Sequence, residues 1–161
     1  MELWDAYDSR GVKIEGRTLI RGEPISEGMY HLVCDVLVKH ADGSYLIMQR
    51  ERRKSYGGMW EATAGGSALQ GESSLTCAKR ELLEETGIKA DELTEVGRVV
   101  HDGTIYVEFC CVTDCPKDSI VLQEGETIAY RWVSLKELWG MKASELLTER
   151  MQGFIPELSQ N

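Results

Sequence analysis

Proline is scarce, with three residues in 161, which together with the hydrophobic content argues against wholesale disorder. No apolar run approaches the roughly 18 residues that a membrane-crossing helix needs, so no membrane role is expected. Positive charge is also short. Eighteen Lys and Arg face 27 Asp and Glu, a formal net charge of -9, which repels phosphate backbones and argues against a nucleic-acid polymer or an anionic membrane as partner. The five cysteines, Cys34, Cys77, Cys110, Cys111 and Cys115, are odd in number and follow no leader-like segment. A secreted disulfide framework is therefore not expected, and a reducing cytoplasm is. Cys111-x3-Cys115 has no second Cys or His pair downstream, so buried thiols are expected rather than a zinc site.

What remains is an ordinary globular composition, 42% hydrophobic and 28% charged, at a length that suits one compact domain. Residues 2–7 and 12–20 flank a Ser9-Arg10-Gly11 turn and predict an N-terminal β-hairpin, an extension over 1–28. The β-branched run 31–39 and the segment 45–49 around Asp42-Gly43 predict a second hairpin. A basic patch, Arg50, Arg52, Arg53 and Lys54, then leads into Gly57-Gly58, Trp60 and Gly65-Gly66, where the backbone turns or approaches something closely. Leu75, Ala78 and Leu82 recur at helical spacing over 73–86, with Gly87 as the left-handed cap. Strands are expected at 96–100, 104–112 and 128–133, a helix from Ser134 into Leu138, and a last helix over 143–151. Interleaved strands and helices place the chain in the α/β (α+β) class, with a mixed sheet and packing helices.

Most of the chemistry lies in Arg80-Glu81-Leu82-Leu83-Glu84-Glu85. A helix brings Glu81, Glu84 and Glu85 onto one strip beside the apolar one. Exposed like charges at this spacing cost only about 0.2 to 0.5 kcal/mol a pair, but partial burial makes the repulsion far worse unless a cation or proton intervenes. A hard divalent cation such as Mg2+ suits carboxylate oxygens and brings substrate phosphates with it. Gly65-Gly66 offers close-approach backbone, and Arg80 stands four residues before Glu84, where a guanidinium can fix a carboxylate. A solvated acidic face is the competing reading of the three glutamates alone.

The pattern Gly66-x5-Glu72-x7-Arg80-Glu81-Leu82-x-Glu84-Glu85-x-Gly87-Ile88 resembles the Nudix box of the Nudix hydrolases at every fixed position. The resemblance extends over about 29–156 and implies the Nudix fold, an α-β-α sandwich around a mixed sheet. It also implies Mg2+ or Mn2+ as cofactor and hydrolysis of a nucleoside diphosphate linked to another moiety, a small-molecule substrate, by water. Carried over by position, Glu81, Glu84 and Glu85 are implied as metal ligands, with the backbone of Gly66 beside them. Arg80 is implied to orient the glutamates together with Glu72. Glu126, six residues before Trp132, matches a loop glutamate that serves as general base or metal ligand, with Glu124 as the fallback.

Outside the box the chain resembles the isopentenyl-diphosphate isomerase branch, in Trp4-Asp5-Ala6-Tyr7-Asp8, Arg21-Gly22-Glu23-Pro24, Tyr30-His31-Leu32 and Arg50-x3-Lys54 with Trp60. That likeness implies Arg50 and Lys54, with Trp60, as substrate-binding residues. The isomerase set is incomplete here: Gly65 stands at the cysteine, Ser67 at a histidine ligand and Tyr106 at an acidic ligand, while His31 and Glu108 remain. Hydrolysis is therefore the expected activity, with isomerisation and a non-catalytic sensing role as alternatives. His31 is read as a hydrogen-bonded core residue and Cys77 as packing. Trp60, Tyr106 and Trp132 are candidates to stack on a base, although aromatics of a small domain are more often core. The hairpin has few evident partners in such a domain, which suggests a second copy of the chain as its partner.

Overall fold

Alternating burial along the chain sets which residues face which core. The computed structural model describes residues 1–147. In β3 (His31–His40), Leu32, Cys34, Val36 and Val38 enter one core, while Leu37 faces the other. In β4 (Tyr45–Arg50), Leu46 and Met48 join the first core and Tyr45 and Ile47 the second. This is the period-two signature of a sheet covered on both faces.

β3 runs parallel to β8 (Thr104–Thr113), from His31↔Thr104 to His40↔Thr113, and β8 pairs antiparallel with β7 (Thr94–His101). The other edge of β3 is shared. It meets β4 at Lys39↔Tyr45 and then takes β6 (Thr63–Ser67) along Val33 to Leu37. β4, released from β3, pairs with β5 (Trp60–Glu61) and with β9 (Thr127–Val133). The mixed seven-stranded sheet therefore forks, and the segment from β5 into β6 crosses from one branch to the other. These two short strands lie in the glycine-punctuated stretch that reads from sequence as turns, because alternation is too brief there to register.

α1 (Ser74–Thr86) covers one face and α2 (Leu135–Gly140) the other, an α-β-α sandwich. Ser73 caps α1 by accepting from the Thr76 amide, and Gly87 ends it at φ 76°. The buried face of α1 is Cys77, Ala78, Leu82 and Thr86; Leu75, expected on the apolar strip, is 41% exposed. The helix is rotated so that the cysteine packs instead. The expected helix over 143–151 is corrected over 143–147, where turns lead to Leu146, bridged to Trp60, and the remainder lies outside the described residues. Leu146 is buried against Tyr45 and Leu138, so tertiary packing overrides helical spacing.

The N-terminal hairpin, β1 (Leu3–Tyr7) with β2 (Lys13–Ile20), is docked on its own chain. Trp4 stacks on His31 at 4.3 Å, Tyr7 and Tyr30 exchange backbone hydrogen bonds, and the Gln70 amide donates to the Leu3 carbonyl. Buried Asp5 accepts from the Gly71 amide at 2.8 Å and from Lys13 Nζ at 2.9 Å. The partners that the sequence did not reveal are β3 and the loop that precedes α1.

Candidate active site

α1 presents its carboxylates to the glycines of β6. A Cβ on Gly66 would lie 2.6 Å from Glu81 Oε1, so the glutamate is pressed against bare backbone. Beside it, the Gly65 amide donates to Glu85 Oε2 at 3.2 Å. Arg80 is held by Glu72 through two bonds, Nε to Oε1 at 2.7 Å and Nη2 to Oε2 at 2.9 Å, and Nη2 also donates to the Ser67 carbonyl. From that fixed pose Nη1 reaches Glu81 at 2.5 Å and Glu84 at 3.3 Å. Glu72 in turn accepts from the Leu69 amide, so one carboxylate ties the loop to the helix. Such bidentate, charge-assisted pairing is geometrically specific.

Gly65, Gly66, Arg80 and the three glutamates of α1 line one wall of a cleft of about 510 Å3, with Glu72 behind it. Arg50, Lys54 and Glu126 line it too, and Lys54 forms an ion pair with Glu126. The Glu51 amide donates to the Glu126 carbonyl, joining the loop after β4 to the one before β9. Glu124, the fallback, is not among the cleft residues, and the structure does not bring Trp60 there. Trp60 lies in a separate recess beside Arg131, whose guanidinium stands 5.5 Å from the ring centre. Trp132 donates to the Lys117 carbonyl and packs at the edge of the first core. His31, stacked under Trp4, has Nδ1 3.3 Å from both the Gly103 carbonyl and Thr104 Oγ1.

Four charged cleft residues have no site role in the sequence reading: Glu61, Asp35, Glu2 and Arg21. Glu61 receives Arg50 Nη1 at 2.6 Å, and Glu2 pairs with Arg21 at 3.0 Å. A charged residue interrupting an apolar strand was the available signal for Asp35, and a glutamate following Trp60 for Glu61.

Burial raises the affinity of three cleft acids, Glu85, Glu81 and Glu61, for protons. It pushes Glu85 up to about 8, with the charges of Glu61 and Glu81 adding to it. Burial likewise raises Glu81 despite Arg80, and Glu61 despite Arg50. Lys54 is lowered by burial and by Arg50. Each wall thus carries charges that an opposite charge would stabilise. Among the described residues no three acidic, histidine or cysteine side chains already converge as a metal cluster, since Arg80 draws Glu81 and Glu84 to itself. The donor set nonetheless suits a hard divalent cation: the half-buried carboxylates of Glu81 and Glu85 crowd against a strand whose glycines leave room for their oxygens.

The NUDIX domain family profile matches residues 29–158. The chain belongs to the Nudix family. It is 33% identical over 147 residues to an uncharacterized Nudix hydrolase of Listeria monocytogenes, covering 89% of this chain and 86% of the relative. It resembles the crystal structure of a MutT protein from Methanosarcina mazei Go1, with a TM-score of 0.66, 23% identity and coverage of 88% and 97%. It also resembles the NUDIX domain of Shewanella oneidensis NrtR, solved in complex with ADP ribose, with a TM-score of 0.64, 16% identity and coverage of 81% and 88%. This Nudix protein is a hydrolase acting on pyrophosphate bonds.

Proposed function

We propose that this Nudix hydrolase cleaves, with Mg2+, the phosphoanhydride of a nucleoside diphosphate linked to another moiety. The observation that carries the reading is the cradle at Gly66, which keeps the Glu81 carboxylate against the backbone at the cleft wall. Glu81, Glu84, Glu85 and the Gly66 carbonyl would hold the ion, and Mn2+ offers the same coordination chemistry. When bound, it would offset the diphosphate charge and lower the pKa of a nearby water.

The chain's own residues supply the rest. Arg80, fixed by Glu72, orients Glu81 and Glu84. Lys54 brings an ammonium to the opposite side, where it binds diphosphate oxygens, and Arg50 adds its positive charge to that side from its seat between Glu61 and the Ser55 carbonyl. Glu126 takes a proton from the attacking water; the new P–O bond forms as the bridging P–O bond breaks, and the leaving phosphate carries away the bridging oxygen. The ADP ribose bound by the Shewanella domain supports a nucleoside diphosphate derivative as substrate. The 1–28 hairpin and the domain after it act as one unit in this reading, in the cytoplasm, with no membrane helix among the described residues.

The isomerase alternative is disfavoured at Gly65. A Cβ there would sit 2.3 Å from the Cys34 carbonyl oxygen and 2.5 Å from Asp35 Oδ1, so the strand pairing leaves no place for a thiol. The test is Mg2+-dependent turnover of nucleoside diphosphate derivatives and isopentenyl diphosphate, with products identified by mass. Cleaved phosphoanhydride is expected from the wild type, and turnover lower by about 100-fold from Glu84→Gln. Conversion of isopentenyl diphosphate without phosphate release would overturn hydrolysis in favour of isomerisation. Tight binding of an uncleaved nucleotide would support sensing.

A further inference from the structure

Glu61 is a cleft carboxylate to which hydrolysis, as described, gives no task. It pairs across the sheet with Met48, so Arg50, two residues along β4, is its diagonal neighbour on the same face. Arg50 Nη1 donates to Glu61 Oε1 at 2.6 Å, and both side chains are only 19% exposed. The same guanidinium donates through Nε to the Ser55 carbonyl at 2.9 Å. Ser55 directly follows Lys54, whose ammonium reaches the cleft and pairs with Glu126. An unbroken line of contacts thus runs from the sheet, through Glu61 and Arg50, into the loop that carries Lys54.

We propose that Glu61 is a positioning residue for substrate binding: it fixes the Arg50 guanidinium, which anchors the loop at Ser55 and so seats Lys54 for the diphosphate. The inference rests on the reading of Lys54 as a diphosphate-binding cation. A lysine is a flexible point charge on a four-carbon stem, and its contribution to binding depends on where its backbone is held. Arg50 suits the anchoring role because its planar fork serves a carboxylate and a carbonyl at once. Glu61→Gln keeps the shape but removes the charge that aims the guanidinium.

The test uses methylenediphosphonate, whose bridging carbon cannot be hydrolysed, titrated calorimetrically in Mg2+ against wild type, Glu61→Gln, Lys54→Met and the double variant, with thermal midpoints recorded alongside. Each single variant is expected to weaken binding about tenfold, and the double variant no more than Lys54→Met alone. Arg50→Lys keeps a cation but loses the fork; it should weaken binding similarly, again with no further loss beside Lys54→Met, and it carries the test if Glu61→Gln does not fold. Multiplying losses in the double variant would overturn the inference while leaving Lys54 as a binding residue. An unchanged affinity in folded Glu61→Gln would overturn it as well. Unchanged affinity in Lys54→Met would overturn the reading of Lys54 and the inference with it, and so would a wild type that does not bind the probe.

Discussion

At the residue scale, Gly65 and Gly66 are required for different reasons, and the two alanine variants separate them. At 66 the obstacle is the mobile end of Glu81, which swings away. Gly66→Ala is therefore expected to fold with a loss below about 1 kcal/mol in urea unfolding, while Mg2+-dependent turnover falls about 100-fold. At 65 the obstacle is the Cys34 backbone, which cannot swing, so Gly65→Ala should cost about 1 to 3 kcal/mol of stability by overpacking. Glu85 makes a second prediction. Its pKa rises on folding from the usual carboxylate range to about 8, first through burial and then through Glu61 and Glu81, so the metal-free folded state holds a proton that the unfolded chain releases. The stabilisation from this group is complete below the unfolded pKa and lost as pH climbs through about 8. The thermal midpoint of the metal-free protein should contain a decline over that window that Glu85→Gln removes, and added Mg2+ should restore stability most at the alkaline end. A decline unchanged in Glu85→Gln would place its origin elsewhere.

At the element scale, α1 shows what a sequence discloses readily. Three carboxylates three or four residues apart share a helical strip whatever the helix packs against, so the common strip of Glu81, Glu84 and Glu85 was legible, as was the stop at Gly87, whereas Ser73 read as part of the helix and caps it instead. Ser73→Ala is expected to lose about 1 kcal/mol in denaturant unfolding with kcat unchanged, because the cap supports the helix end remote from Glu85. Leu75 shows the limit of the same reasoning: helical spacing names a strip but not its rotation, and only the packing of Cys77 fixed it. The other side of the cleft was less legible still. Glu61 meets Arg50 through a strand of two residues, and register between distant segments leaves little trace in local sequence. Trp60 illustrates the converse, since a likeness in sequence placed it with the substrate and the strand turned it to the other recess.

At the scale of the whole molecule, the hairpin that reads from sequence as an appendage is joined to the α1 loop through a buried charge. Asp5→Ala removes the two hydrogen bonds that a buried carboxylate accepts from the Gly71 amide and Lys13, so it should lower stability by about 1 to 3 kcal/mol. Circular dichroism and tryptophan fluorescence should show one shared transition shifted downward; two separate transitions would mark the hairpin as an independent unit. The hairpin also determines where the chain enters the fold. Met1 is fully exposed, yet Glu2, its neighbour, belongs to the cleft and is clasped by Trp4 Nε1 at 2.8 Å and by Arg21. Any polypeptide ahead of Met1, native or a purification tag, therefore departs beside the mouth of the candidate active site. A polyhistidine leader there would bring imidazoles and their adventitious nickel within reach of the cleft proposed to take a divalent cation, so metal dependence measured on such a fusion would report on the leader as much as on the enzyme.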